Sequence, residues 1–336
     1  MNEQQRKKYS EQYIKIQGKL ERRFLPVIKK CLVNQVSSFT EVFLSRDGNV
    51  VESDYQRVNG TEMALVLATL HVYSAIVYGS IVYKQNKNTK AGSMGYNESW
   101  TKEVLKYFLE HNGKFIKNIT ETTRERIRQV LSEGVEKGYG AEKLARMLNQ
   151  DGLTKARALR IVRTETVRAT NYANYLAANE LDFLVNKQWI AAHDERTRTG
   201  HIEADGKEVE LDGFFEVGIY EGKKGEERRV GTDYMEYPGD PGASASNTIN
   251  CRCSMGIVPK RDRDGNLINK PEERPPLIEF EEPKENIEDL MMEILQVSVL
   301  GFLVTDILKI SEPIKTFVKE IFKGIGLGGL INNFFD

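Results

Sequence analysis

Twenty-one consecutive residues, Met63 to Tyr83, contain no charged side chain. A run of that length meets the requirement for a membrane-spanning helix. It also holds Thr69, His71, Ser74, Gly79 and Ser80, with tyrosines at Tyr73, Tyr78 and Tyr83. Paired interfacial anchors, the usual companions of a spanning helix, are missing. The run therefore predicts a helix buried inside a helical domain.

The surrounding pattern agrees. Tyr13, Ile16, Leu20, Phe24, Val27, Ile28 and Cys31 recur at steps of three and four, which predicts helix over residues 1–45. Pro26 predicts a kink or an end there. The opening segment is polar, and Arg6, Lys7 and Lys8 lead into no apolar core, so it reads as an amphipathic helix rather than a secretory signal. Arg46-Asp47-Gly48-Asn49 is a turn. After a polar loop, Lys84 to Glu98, two further helical stripes follow. The first is Trp100, Val104, Tyr107 and Phe108; the second is Ile127, Val130, Leu131 and Val135. Gly138-Tyr139-Gly140 ends the second, and residues 141–148 form a short helix.

Asp151-Gly152 opens a new unit, and Thr154 is positioned to cap a long helix. Leu159, Val162, Thr166, Ala169, Ala173 and Leu176 form its apolar stripe. After Leu181 the period changes. Lys187 to His193, Phe214 to Tyr220 and Ile249 to Val258 are strand candidates, Asp205-Gly206 is a hairpin-type turn, and Glu221 to Gly231 is a charged loop. Asp262, Asp264 and Asn266 imitate a calcium loop, but Leu267 stands where that loop needs glycine, so a turn is expected.

The expected fold is α+β: a mostly helical N-terminal region, a small domain of one long helix on antiparallel strands, and a helical apolar tail. The expected segments are 1–150, 151–260, a Pro/Glu-rich linker at 261–285, and the tail at 286–336. The uncharged run in the tail, Ile294 to Thr305, reaches only about 18 Å, short of a bilayer's roughly 30 Å. Beyond it, Ile314, Phe317, Val318, Ile321 and Phe322 share one helical face.

Composition narrows the partners. Forty-eight Lys and Arg against forty-nine Asp and Glu give a net charge of −1, so attraction to DNA or to an anionic membrane must come from a local patch. The three cysteines exclude a disulfide framework and suit a reducing compartment.

Chemistry concentrates in two places, His193-Asp194-Glu195-Arg196-Thr197-Arg198-Thr199-Gly200-His201 and Asn250-Cys251-Arg252-Cys253. Three readings compete. His201, Cys251 and Cys253, with His193 as a fourth ligand, are a candidate zinc set, and residues two apart on a strand share a face. Alternatively, His193, Asp194, His201 and the cysteines form a metal-dependent nuclease site, with Arg196 and Arg198 on phosphate. No Walker loop, His-Glu-x-x-His or nucleophile elbow supports an enzyme. In the favoured reading the charges hold the fold, with Arg163 paired to Asp194 or another carboxylate. Lys155, Arg157, Arg160 and Arg168 make a basic face on the long helix, a candidate contact for duplex DNA.

The ordered series Arg163-Thr164-Glu165-Thr166, Asn171, Asn174, Trp189, Asp194-x-Arg196-Thr197-Arg198, His201, Asp205-Gly206, Pro238-Gly239-Asp240-Pro241 and Asn250-Cys251-Arg252-Cys253 resembles a known family. It is similar to the minor head proteins of tailed phages, of the phage Mu F type, over residues 150–260. The resemblance implies a non-enzymatic virion component. It would be present in few copies inside the head near the portal and would aid head morphogenesis, DNA packaging and ejection. It implies portal, capsid and scaffold partners and no small-molecule substrate. Host cytoplasm is then the place of assembly. Arg163, Glu165, Asn171, Asp194, Arg196, His201, Asp205, Asp240, Asn250 and Arg252 would form its structural network. Relatives carry a Cys-x-x-Cys and a further histidine where this chain has Arg198, His201 and Thr248, which leaves a zinc site incomplete. Some relatives carry a toxin domain after this one; the tail here is too short for an enzyme. A third reading is an ejected protein whose tail, 286–336, meets the host membrane.

Overall fold

The computed structural model describes residues 1–79, 98–150, 155–223, 225–271 and 312–324. The expected loop up to residue 97, the expected linker from residue 272, and the expected tail apart from residues 312–324 lie outside the described residues. Among the described residues the fold is α+β, as the sequence predicts.

The helices run α1 Glu3–Ser45, α2 Thr61–Tyr73, α3 Glu98–Glu136, α4 Ala141–Gln150 and α5 Lys155–Asn179. Pro26 lies inside α1 and does not end it. A proline there costs about 3 kcal/mol, and Leu20, Phe24 and Ile28, buried on either side, hold the helix together. The two expected stripes between Trp100 and Val135 belong to one helix, α3. Its interior Gly113 is too weak a breaker to divide it.

The uncharged run is indeed a buried helix. Every residue from Met63 to Val72 is at 0% exposure. A π-helical turn, Ser74–Gly79, continues it. Among the described residues no helix is long and apolar enough to cross a membrane.

The chain forms two compact units. One comprises Met1–Arg22, Leu70–Val104 and Arg163–Asn286, the other Arg23–Thr69, Leu105–Val162 and Ile287–Asp336. These cut across the segments 1–150 and 151–260 that composition suggests.

The second unit is helical. Phe39, Phe43, Tyr55, Ile127, Leu131 and Leu144 are among the residues of its core. Arg124 donates to the carbonyls of Tyr55 and Val58 at 3.0 and 2.9 Å and so fixes the 3-10 turn Glu52–Arg57 against α3. The described part of the tail, α8 (Glu312–Gly324), belongs here. Phe317 meets the Phe24 ring edge-on at 5.3 Å, and Val318 is fully buried.

The first unit carries the strands. β1 Val185–Ile190 pairs antiparallel with β2 Glu208–Glu210 on one side and β5 Ser254–Pro259 on the other. A short helix, α6 Thr199–Ala204, lies between β1 and β2. β3 Phe215–Glu221 and β4 Arg228–Met235 form a separate hairpin. The expected charged loop from Glu221 is thus partly strand. Its charges sit on exposed positions of β4, where alternation is masked because few residues point inward. The expected strand from Ile249 begins only at Ser254, because Ala245–Thr248 is a helical turn (α7) and Asn250 adopts φ 60°. The calcium-like segment is a turn, closed by a bridge between Arg261 and Leu267.

Candidate functional site

The residues singled out by sequence from Arg163 onward gather in the first unit, around the packing of α5 on the sheet, whereas Lys155, Arg157 and Arg160 belong to the second. They form several separate clusters rather than one network.

The innermost cluster is His201, Cys251 and Cys253. Trp189 meets the His201 ring edge-on at 5.3 Å and is itself backed edge-on by Phe215 at 5.4 Å. His201 Nδ1 lies 3.3 Å from Cys253 Sγ and 3.7 Å from Cys251 Sγ. The donor atoms lie within 4.8 Å of one another and all three residues are buried. The hydrogen bond from Cys253 draws the Cys251 thiol well below its usual value, and the His201 charge and hydrogen bond act with it against burial. The Cys253 thiol is held well above, because it donates to Cys251 in a buried place. In this arrangement Cys253 donates to Cys251, and His201 Nδ1 faces both sulfurs. A closed structural zinc site takes four ligands, and among the described residues no fourth His, Cys, Asp or Glu joins this group. His193, expected as that ligand, sits instead 3.3 Å from Asp205.

Around this core run the clasps. Asp194 pairs with Arg252, which donates at 2.7 Å, and it accepts the Arg196 backbone N–H at 3.0 Å. Burial pushes the Asp194 carboxyl up, but Arg252 outweighs it and holds it below the usual value. Arg196 itself is exposed. Arg163 pairs not with Asp194 but with Glu21 of α1 at 3.2 Å, and it donates to Asn250 at 2.9 Å. Asn250 in turn donates its N–H to Thr164. Asp205 accepts from the Ala191 N–H at 2.9 Å and from Arg6 at 3.0 Å. Asp240 accepts the N–H groups of Glu236 and Gly242 and closes the Pro238–Pro241 turn.

Glu165 and Arg168 form a fully buried pair at 2.6 Å. Arg168 also donates to the Gly239 carbonyl at 3.1 Å, and Glu165 lies 3.3 Å from His71 Nε2. Burial pushes Glu165 up, yet Arg168 and His71 bring it net below the usual value. Burial holds His71 below its own usual value, so it serves as a neutral donor. Asn171 is equally enclosed. It donates to the carbonyls of Pro238 and Cys253 and accepts the Met255 N–H.

The expected basic face on α5 dissolves. Arg168 is buried, and Arg157 donates inward to Thr123 at 2.9 Å and to the Ile119 carbonyl, in the second unit. Burial, with the neighbouring Arg160 charge, lowers Arg157 to about 10. Arg160 is exposed, and the Lys155 side chain lies outside the described residues. Helical spacing alone does not distinguish a solvent face from one covered by a distant element.

Four partners escaped the sequence: His71, Glu21, Arg6 and Lys187. The first three sit in helices far from the motif and carry no local signal. Lys187 stands on β1 with no exposure, 5.4 and 5.7 Å from the Tyr175 and Phe215 rings. Its alternation with Val185 and Trp189 marks the inward face, the one signal that could have found it.

The motif residues thus hold a long helix on a small antiparallel sheet by buried polar side chains. Residues 125–256 match the family described as Phage Mu protein F like protein. The match begins within α3, upstream of residue 150. Among curated proteins the chain is 32% identical over 135 residues to Minor head protein GP7 of Bacillus phage SPP1, covering 39% of this chain and 40% of that one. It is 30% identical over 174 residues to the NAD(+)–arginine ADP-ribosyltransferase EFV of Enterococcus faecalis, covering 48% of this chain and 31% of that protein. The chain thus spans less than half the length of either relative. No solved structure matches it.

Proposed function

We propose that the protein is a minor head protein of a tailed phage, a structural component that acts in head morphogenesis. The match of residues 125–256, which includes every clasp residue from Arg163 to Arg252, carries this reading. The buried state of the motif supports it. His201, Cys251 and Cys253 are at most 2% exposed, so a phosphodiester cannot reach them as a nuclease would require. His193 and Asp194 are engaged with Asp205 and Arg252.

The finer proposals follow. The protein sits in few copies inside the head, with its helical region against portal or scaffold, and takes part in DNA packaging and ejection. Quantitative mass spectrometry of purified procapsids and filled particles, with external protease, is the test. A few to a few tens of protected copies are expected. Absence from both particles would overturn the reading.

The Enterococcus faecalis relative is named as a transferase, but the match spans 31% of it. We assign the shared part to the head-protein module. No transfer of labelled ADP-ribose from NAD to arginine is expected, and transfer above background would refute this. Membrane action by the tail is the weaker reading, because Phe317 and Val318 already face the protein's own interior.

A further inference from the structure

The first helix carries an interaction surface on its solvent side. Within residues 2–22 the exposed side chains are Asn2, Glu3, Gln4, Gln5, Lys7, Lys8, Glu11, Gln12, Lys15, Lys19 and Arg22. Lys8, Lys15, Lys19 and Arg22 are spaced by seven, four and three, which places them within an arc of about 60°. They span about 21 Å of helix axis. Glu11 stands at the edge of that arc. Among the described residues, none of these four cations forms an ion pair.

The opposite face fixes the helix within its unit. The Tyr13 and Thr170 hydroxyls meet at 2.5 Å, Glu21 pairs with Arg163, and Arg6 pairs with Asp205. The row of cations is therefore presented on a held support.

We propose that this face of α1, with Lys8, Lys15, Lys19 and Arg22, contacts the phosphate backbone of duplex DNA. Three features choose that partner. The exposed positions of residues 2–22 include no large apolar side chain, whereas a membrane-surface helix needs an apolar face free to insert. An acidic protein partner would be met by aromatic or aliphatic anchors, which the face lacks. A row of unpaired cations along about 21 Å suits a row of phosphates. The head-protein reading supplies the setting, a particle filled with DNA, and the inference rests on it in that respect. The contact moves from α5, where sequence placed it, to α1.

The test is fluorescence anisotropy of the full chain with a labelled duplex of arbitrary sequence across a salt series. Four phosphate contacts predict a log–log salt slope of about −3.6 and a loss of affinity of about a hundredfold between about 50 and 200 mM salt. In the variant K8Q/K15Q/K19Q/R22Q, with its fold checked by circular dichroism, the slope should shrink by about 3.6 and low-salt affinity should fall at least about tenfold. R160Q should match the wild type. Equal slopes for wild type and the quadruple variant, or no wild-type binding at about 50 mM salt, would overturn the proposal. So would loss of binding to anionic vesicles with DNA binding unchanged. Particle incorporation of the quadruple variant, read by mass spectrometry, reports on the head-protein reading separately.

Discussion

Asn171 and Met255 are joined as two strands would be: the Met255 N–H donates to the Asn171 side-chain oxygen at 2.9 Å. Asn171 returns a hydrogen bond to the Cys253 carbonyl at 3.1 Å, and Asn174, one turn on, donates to the Met255 carbonyl. β5 is the outer strand of the order β2-β1-β5, so its far edge has no strand to pair with. Helix asparagines occupy that edge and remove a site where another chain could add. Asn171→Ala orphans the Met255 N–H and removes the amide donor from the Pro238 and Cys253 carbonyls, at about 1–3 kcal/mol for each group left unsatisfied. A loss of about 2–4 kcal/mol in chemical denaturation is expected; a loss under 0.5 would show that the asparagine is dispensable.

The Glu165–Arg168 pair makes a sharper demand. Removing one member of a buried pair leaves the other charge uncompensated, at a cost of about 3–5 kcal/mol. Glu165→Gln should therefore destabilise the first unit by that amount. The pH dependence has a definite sign. His71 is held below its usual 6.5 by burial, so the unfolded chain takes up the proton first and stability falls as pH drops through 6.5. Glu165, net lowered from 4.5, contributes stability that is present above 4.5 and lost as pH falls through its folded value. His71→Gln should flatten the decline between pH 6.5 and 5, and an unchanged profile would reject the assignment.

Lys187 acts with the same sign at higher pH. Burial lowers it from 10.5 to about 8, with Glu236, Asp212 and Asp240 opposing. Its charged form is therefore disfavoured in the fold. The penalty is fully present below pH 8 and is relieved as pH rises toward 10.5. Lys187→Met should raise stability at pH 7 by about 1–3 kcal/mol, with the gain shrinking by pH 10. Destabilisation at pH 7 would mean that the ammonium has a supporting role.

The His201, Cys251 and Cys253 donor set falls one ligand short of a closed zinc site. Protein purified under reducing conditions is expected to hold far less than one zinc per chain by elemental analysis, and a chelator should leave its melting temperature unchanged. Stoichiometric zinc, with a melting temperature that drops on chelation, would overturn this. Cys251→Ser should destabilise either way, so metal content is the deciding readout.

Much of the architecture was legible because it depends on local periodicity. The spacing of Leu20, Phe24 and Ile28 marked α1, and the uncharged run marked α2, whose residues Met63 to Val72 are all fully buried. The motif order pointed to a helix held on a small sheet by polar residues. Pairings were not legible. Arg163 meets Glu21 and Arg6 meets Asp205 across long stretches of chain, and nothing near either residue names its partner. Gly200 shows the same limit. A Cβ there would come within 2.2 Å of the Gly218 carbonyl oxygen, so the glycine is required by a strand that sequence could not place beside it.

The sequence by itself determined the main helices and the buried run, because the helical period is written residue by residue. Only the tertiary structure decided which charges face solvent. Arg157 and Arg168 have the same chemistry and spacing as exposed cations, yet elements packed over them turn them into internal donors. Burial is a property of the neighbours, and the neighbours come from far along the chain.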